Sequence, residues 1–164
     1  MTLKKKILVA LILLFIIAQF FSPNKNQSGL YAINKFLVET KAPMEVQKIL
    51  TQACFDCHSD QTTYPWYNSI TPVNYWLNSH VNGGKSHLDV SKWSTYSVKR
   101  KAHKLEELIE EVGEGEMPLA SYKWTHASAD LTNDQIEALI HWAQREIFNY
   151  GLVKSNIINS SVED

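Results

Sequence analysis

The chain has only two cysteines, and they stand three residues apart with a histidine directly behind the second: Cys54-Phe55-Asp56-Cys57-His58. On a helical turn, residues three and four apart share a face, so both thiols and the imidazole can address one object lying across that face. With no further cysteine, a framework of several disulfides is excluded as a source of stability. Any special stabilisation of this 164-residue chain has to come from elsewhere, and a cofactor at this motif could supply it.

C-x-x-C-H is the attachment pattern of c-type haem. Two thiols reach two vinyl groups on one edge of the porphyrin, and His58 ligates the iron from the proximal side. One covalently attached haem c is therefore the expected cofactor. Three other readings compete. A redox pair of thioredoxin type belongs in a βαβ setting that this sequence lacks. A structural zinc site needs four ligands, two of which would have to come from the histidines. A local disulfide or a pair of inert thiols leaves the aromatic-rich, all-α context unexplained. Five Trp, seven Tyr and six Phe would make good walls for a flat apolar cofactor, though such rings serve equally as ordinary core.

The N-terminus reads as a membrane address. Lys4, Lys5 and Lys6 precede an apolar run from Ile7 to Phe21, broken only by Gln19. That run is shorter than the roughly 20 residues needed to span a bilayer, but Leu3 and snorkelling lysines extend it. Ala18-Gln19-Phe20-Phe21-Ser22-Pro23 offers no small-x-small cleavage pair, so residues 1–21 are read as an uncleaved signal anchor. The positive-inside rule then places the rest of the chain outside the inner membrane, on the periplasmic side. Residues 22–41, with polar Asn24 to Gly29, read as a linker; 42–150 as the domain; 151–164 as a C-terminal tail. A net charge of -1 gives no basis for a nucleic-acid partner.

Within the domain, Pro43 opens a helix whose Val46, Ile49, Leu50 and Ala53 run into Cys54. A second helix starts at Pro72 with Thr71 as its cap, carries Val73, Trp76, Leu77 and His80 on one side, and stops at Gly83-Gly84. A third spans 102–112 through Leu105, Leu108, Ile109 and Val112, and Gly113 and Gly115 end it. Gly113 to Ala129 reads as a loop over the core. Thr132 and Gln135 have capping-box spacing before a stripe of Ile136, Leu139, Ile140, Ala143 and Ile147, with Gly151 as the stop. No segment reads as a strand. The expected fold is a small all-α domain with long loops wrapped around one haem.

The second iron ligand is sought in Gly115-Glu116-Met117-Pro118, where Met117 offers a soft thioether. Most methionines simply pack on the core, but Met117 lies in an irregular loop, is stiffened by Pro118 and falls between the haem motif and the last helix. His80 and His126 are its rivals. His87, His103 and His141 read as surface or hydrogen-bonded histidines.

A helix entering C-x-x-C-H, a methionine-proline loop and an amphipathic C-terminal helix resemble class I cytochrome c. More closely, residues 43–145 resemble the haem-binding domain family of cytochrome c-like proteins, through Cys57-His58-Ser59, Tyr64-Pro65-Trp66-Tyr67, Gly115-Glu116-Met117-Pro118, His126, Leu131-Thr132 and Ile140-His141-Trp142-Ala143. The resemblance implies haem c held through Cys54 and Cys57, with His58 and Met117 on the iron. Tyr64, Pro65, Trp66 and Tyr67 would line or shield it, a role that such an aromatic run shares with plain core packing. Leu119 stands where members often have a second proline, which alters the path of the loop near the iron.

A six-coordinate His-Met haem has no open site for substrate, so one-electron transfer rather than enzymatic catalysis is the expected role. The alternative is a sensor or small-ligand-binding module in which Met117 is displaced. An enzyme is the weaker class, since no acid-base pair is set out by the pattern. Glu106, Glu107, Glu110, Glu111, Glu114 and Glu116 read as a solvated face, with docking of a basic redox partner as the other meaning.

Overall fold

The computed structural model describes residues 2–160, and side chains as far as Gly151. Its elements in chain order are α1 (Leu3–Ala18), α2 (Leu30–Glu39), α3 (Met44–Ala53), α4 (Phe55–His58), α5 (Val73–His87), α6 (Val98–Gly113), α7 (Ala120–Lys123) and α8 (Asn133–Ser160), with short 3₁₀ turns at Trp66–Ser69, Val90–Thr95 and Ala127–Ala129. Among the described residues the only β pairing is an isolated bridge between Gln27 and Gln61, so the all-α expectation holds.

The core forms where three apolar stripes meet. Val46, Ile49 and Leu50 of α3, Leu105 and Val112 of α6, and Leu139, Trp142 and Ala143 of α8 are all buried in one cluster. These are the i, i+3, i+4, i+7 positions that a helix packing on neighbours has to make apolar. α6 lies along α8, and α3 packs on α8 as well. The start of α8 is the expected capping box: Thr132 Oγ1 accepts from the Gln135 amide at 3.3 Å, and Gln135 Oε1 accepts from the Thr132 amide at 2.9 Å. α6 begins at Val98, earlier than its apolar stripe, because Ser97 caps it by accepting from the Arg100 amide at 3.3 Å.

Four expectations need correction. Residues 22–41 are not a free linker. The polar stretch Asn24 to Gly29 hides that the following ten residues form α2, whose Ile33 and Phe36 are buried one turn apart. Phe36 meets Phe55, Trp93 and Trp142 edge-on, with ring centroids 6.2, 5.1 and 6.2 Å away. Thr71 does not cap α5. Pro72 takes that position, and the Thr71 hydroxyl donates instead to the Phe21 carbonyl at 2.9 Å while accepting from Asn74 Nδ2 at 2.9 Å. α8 passes through Gly151 to Ser160, so part of the expected tail continues the helix, and 161–164 lie outside the described residues.

The fourth concerns Gly83-Gly84, which do not stop α5. A Cβ on Gly84 would stand 2.6 Å from the Cys57 carbonyl oxygen and 3.0 Å from the Cys57 Cβ, so the helix backbone lies directly on the cysteine motif. Gly83 has open space around its Cβ position. The two glycines should respond oppositely to alanine. Gly83→Ala is expected to raise stability by up to about 1 kcal/mol, because glycine is the poorer helix former. Gly84→Ala is expected to lose about 1–3 kcal/mol, because backbone atoms must move. Urea midpoints of the two variants check this, and a Gly84→Ala protein as stable as Gly83→Ala would contradict the close contact.

No helix among the described residues is long and apolar enough to cross a membrane. α1 has 16 residues, a length of about 24 Å at 1.5 Å per residue against a hydrocarbon core of about 30 Å. It has no buried residue, and from Ile7 to Ile17 its large apolar side chains are exposed.

Candidate functional site

α3 delivers the motif. Cys54 ends α3 and opens the single turn α4, with φ −124° and ψ −46° bending the chain between them. The amides of Cys57 and His58 donate to the Cys54 carbonyl at 3.2 and 2.9 Å, which closes the turn and sets the three side chains along it. Ser59, fully buried, donates to the Phe55 carbonyl at 2.7 Å and accepts from the Gln61 amide at 3.0 Å, so the chain leaves the turn in one direction.

The His58 ring is fixed in one orientation. Its Nδ1 lies 3.0 Å from the Leu88 carbonyl oxygen. A carbonyl only accepts, so Nδ1 carries the proton and Nε2 keeps its lone pair. Burial holds the imidazole below its ordinary pKa despite this bond, which favours the neutral, ligating form. Leu88 follows α5 directly, so the helix that rests on Cys57 through Gly84 also supplies the group that orients His58.

Burial, reinforced by the neighbouring Cys57, pushes the Cys54 thiol up to about 12, and burial with the Asp56 charge pushes Cys57 up to about 11. An attacking thiol of a redox pair has the opposite shift. Among the described residues no group of three or more His, Cys, Asp or Glu side chains is placed to hold a metal ion. A haem needs no such cluster, because the porphyrin brings its own nitrogens.

An opening of about 530 Å³, counted with its solvent-facing part, lies against Cys57. Tyr64, Tyr67, Trp76, Leu77, Val81, Leu119 and Tyr122 give it a predominantly apolar and aromatic wall, and His80 and His126 also stand on it. The space that water-sized spheres can occupy in it is about 50 Å³, so it resembles a small-molecule site in its lining and not in its size. Each of these two histidines has Nδ1 near a carbonyl of its own segment, Trp76 at 2.9 Å for His80 and Tyr122 at 3.1 Å for His126. His126 also stacks on Tyr122, with ring centroids 4.0 Å apart.

The remaining expected residues fall as follows. Tyr64 is on the wall, and its hydroxyl accepts from the Asn26 amide at 2.9 Å. Trp66 is 79% exposed and off the wall. Met117 is half-buried against the same core cluster that Cys54 packs on, and it too is off the wall, with Leu119 on it instead. His87, His103 and His141 are exposed, and His103 pairs with Glu106 and Glu107.

Asp56 and Tyr122 carry a role that the spacing did not show. Asp56 Oδ1 accepts from the Thr63 amide at 2.7 Å and Oδ2 accepts from the Tyr122 hydroxyl at 2.8 Å, which ties the variable pair of the motif to α7 across the cavity. Burial and the Asp56 charge push the Tyr122 hydroxyl up, so it stays protonated as the donor.

A family model described as a haem-binding domain matches residues 13–145. The chain belongs to the haem-binding domain family. The match starts inside α1, so the haem-binding domain takes in α2 and the segment before it, in keeping with Phe36 in the core. No match was found among curated proteins or among solved structures.

Proposed function

We propose that this haem-binding domain carries one haem c, joined through thioethers at Cys54 and Cys57 with His58 Nε2 on the iron, and that it acts as a one-electron carrier. The observation that carries the reading is the His58 Nδ1 to Leu88 contact of 3.0 Å beside two thiols on one turn, because it leaves a lone pair beside two anchoring sulfurs. A bound haem supplies an iron that gains or loses a single electron. The chain's part is to hold that iron rigidly: Gly84 lets α5 close on the motif, Leu88 fixes the imidazole, and the aromatic wall gives the cavity an apolar lining.

Met117 is the proposed distal ligand. It packs on the same cluster as Cys54, and a thioether opposite histidine raises the potential, which suits a carrier rather than an enzyme. A bis-histidine haem is the second reading, favoured by the placement of His80 and His126 on the cavity wall. The ferric holoprotein is expected to show the weak red charge-transfer band of sulfur-to-iron ligation. Met117→Ala should remove the band, lower the potential and admit added ligands, while Met44→Ala, whose side chain is exposed, leaves all three unchanged. A wild-type spectrum without the band, altered by His80→Ala or His126→Ala, would move the assignment to bis-histidine. A five-coordinate resting spectrum would favour the sensor.

We also propose that α1 is a membrane anchor with the domain on the periplasmic side. Its exposed apolar side chains need cover, Lys4 to Lys6 precede it, and exposed Phe20 and Phe21 with snorkelling lysines make up its short length.

A further inference from the structure

Apart from Tyr31 on α2 and Phe148 on α8, the exposed aromatic residues of the domain lie at the start of α5, in the 3₁₀ turn at Trp66–Ser69 and directly after α7. Of the five tryptophans, Trp93 and Trp142 are core, whereas Trp66, Trp76 and Trp124 are 79, 47 and 80% exposed. Trp76 and exposed Tyr75 lie in the first turn of α5. Trp66 and Trp124 flank a shared contact, since the Tyr67 hydroxyl donates to Thr125 Oγ1 at 2.8 Å.

The end of α1 arrives at the same place. The Gln19 side chain pairs with the Thr71 backbone in both directions, Nε2 donating to the carbonyl at 3.1 Å and Oε1 accepting from the amide at 2.9 Å. Thr71 immediately precedes Pro72, the N-cap of α5, and its hydroxyl holds the Phe21 carbonyl. The connection that follows is short. Only residues 22–25 separate Phe21 from Asn26, whose side chain donates to the Ser59 carbonyl at 2.7 Å and to Thr62 Oγ1 at 2.9 Å. Four residues span at most about 14 Å fully extended, and the Gln19–Thr71 pair removes even that freedom.

We propose that this aromatic end of the domain rests on the bilayer, with Trp66, Tyr75, Trp76 and Trp124 at headgroup depth beside the end of α1. The proposal rests on the reading of α1 as a membrane anchor. Lipid is the occupant because α1 is apolar on every side from Ile7 to Ala18 and is clamped to this face: whatever covers Phe20 and Phe21 also meets the residues next to Thr71. Trp and Tyr are the side chains that suit such a boundary, with an apolar ring toward the acyl chains and a polar atom toward water. The cavity wall shares Tyr67 and Trp76 with this rim, so docking places the cavity beside the headgroups rather than free in solution.

The test uses full-length holoprotein in vesicles of phosphatidylethanolamine and phosphatidylglycerol, with nitroxide labels on Tyr75→Cys and, as a control on an exposed position of α8, Glu137→Cys. Unsubstituted protein labelled in parallel supplies the background. The label at 75 is expected to collide severalfold more with lipid-dissolved oxygen, and severalfold less with an aqueous nickel chelate, than the label at 137. If the protein floats with the vesicles but the two labels behave alike, the docking is wrong and the anchor stands. A label at 75 shielded from both reagents is packed on protein, which also overturns the docking. Failure to float with the vesicles overturns the anchor and the docking together.

Discussion

Replacing both Cys54 and Cys57 by alanine is expected to abolish covalent haem entirely. Wild-type protein made beside a cytochrome c maturation system should keep its haem after denaturation and should exceed the polypeptide mass by one haem. The double variant should run at the polypeptide mass and lose any colour on denaturation. The expectation is strict because these are the chain's only cysteines, so no other thiol can form the bond. Each single variant retains one sulfur on the turn closed by the Cys54 carbonyl, and should keep haem through one thioether with a lower yield. His58→Ala separates linkage from ligation: the sulfurs remain, so haem stays covalent while the spectrum loses its proximal histidine. Covalent haem persisting in the double variant would remove the thioether assignment.

Local features were legible in the sequence because local rules govern them. The Thr132–Gln135 cap, the stripe of α6 and the entry of α3 into Cys54 all depend on residues within one or two turns of each other. The helical turn that sets Cys54, Cys57 and His58 side by side was legible for the same reason. What was not legible depends on contacts distant in sequence. Nothing within five residues of Asp56 announces Tyr122, which lies 66 positions away. Gly84 looked like a helix stop because the group that needs the missing Cβ, the Cys57 carbonyl, belongs to another helix. Thr71 looked like a cap because its partner, the Phe21 carbonyl, lies fifty residues earlier.

The largest of these long-range effects should be measurable at Phe36, in the stretch that its polar lead-in made look like a linker. Phe36→Ala is expected to lower stability by about 3–5 kcal/mol, the range for emptying a fully packed phenylalanine site. That is a large share of the roughly 5–15 kcal/mol that holds a domain of this size folded. The site has little means of collapse. Phe55, Trp93 and Trp142 each meet the Phe36 ring edge-on, and Trp142 is further fixed by its Nε1 donating to the Thr40 carbonyl at 3.1 Å. Three large rings from three separate elements cannot all move inward to fill one gap. Tyr31→Ala, on the same helix but 80% exposed, supplies the control and should stay within about 0.5 kcal/mol of wild type. Urea unfolding of the two holoprotein variants should separate their midpoints with an unchanged slope. Phe55 adjoins Cys54 in the motif, so the loss at Phe36 should also lower the yield of holoprotein. Equal midpoints for Phe36→Ala and Tyr31→Ala would return residues 22–41 to the status of a spacer.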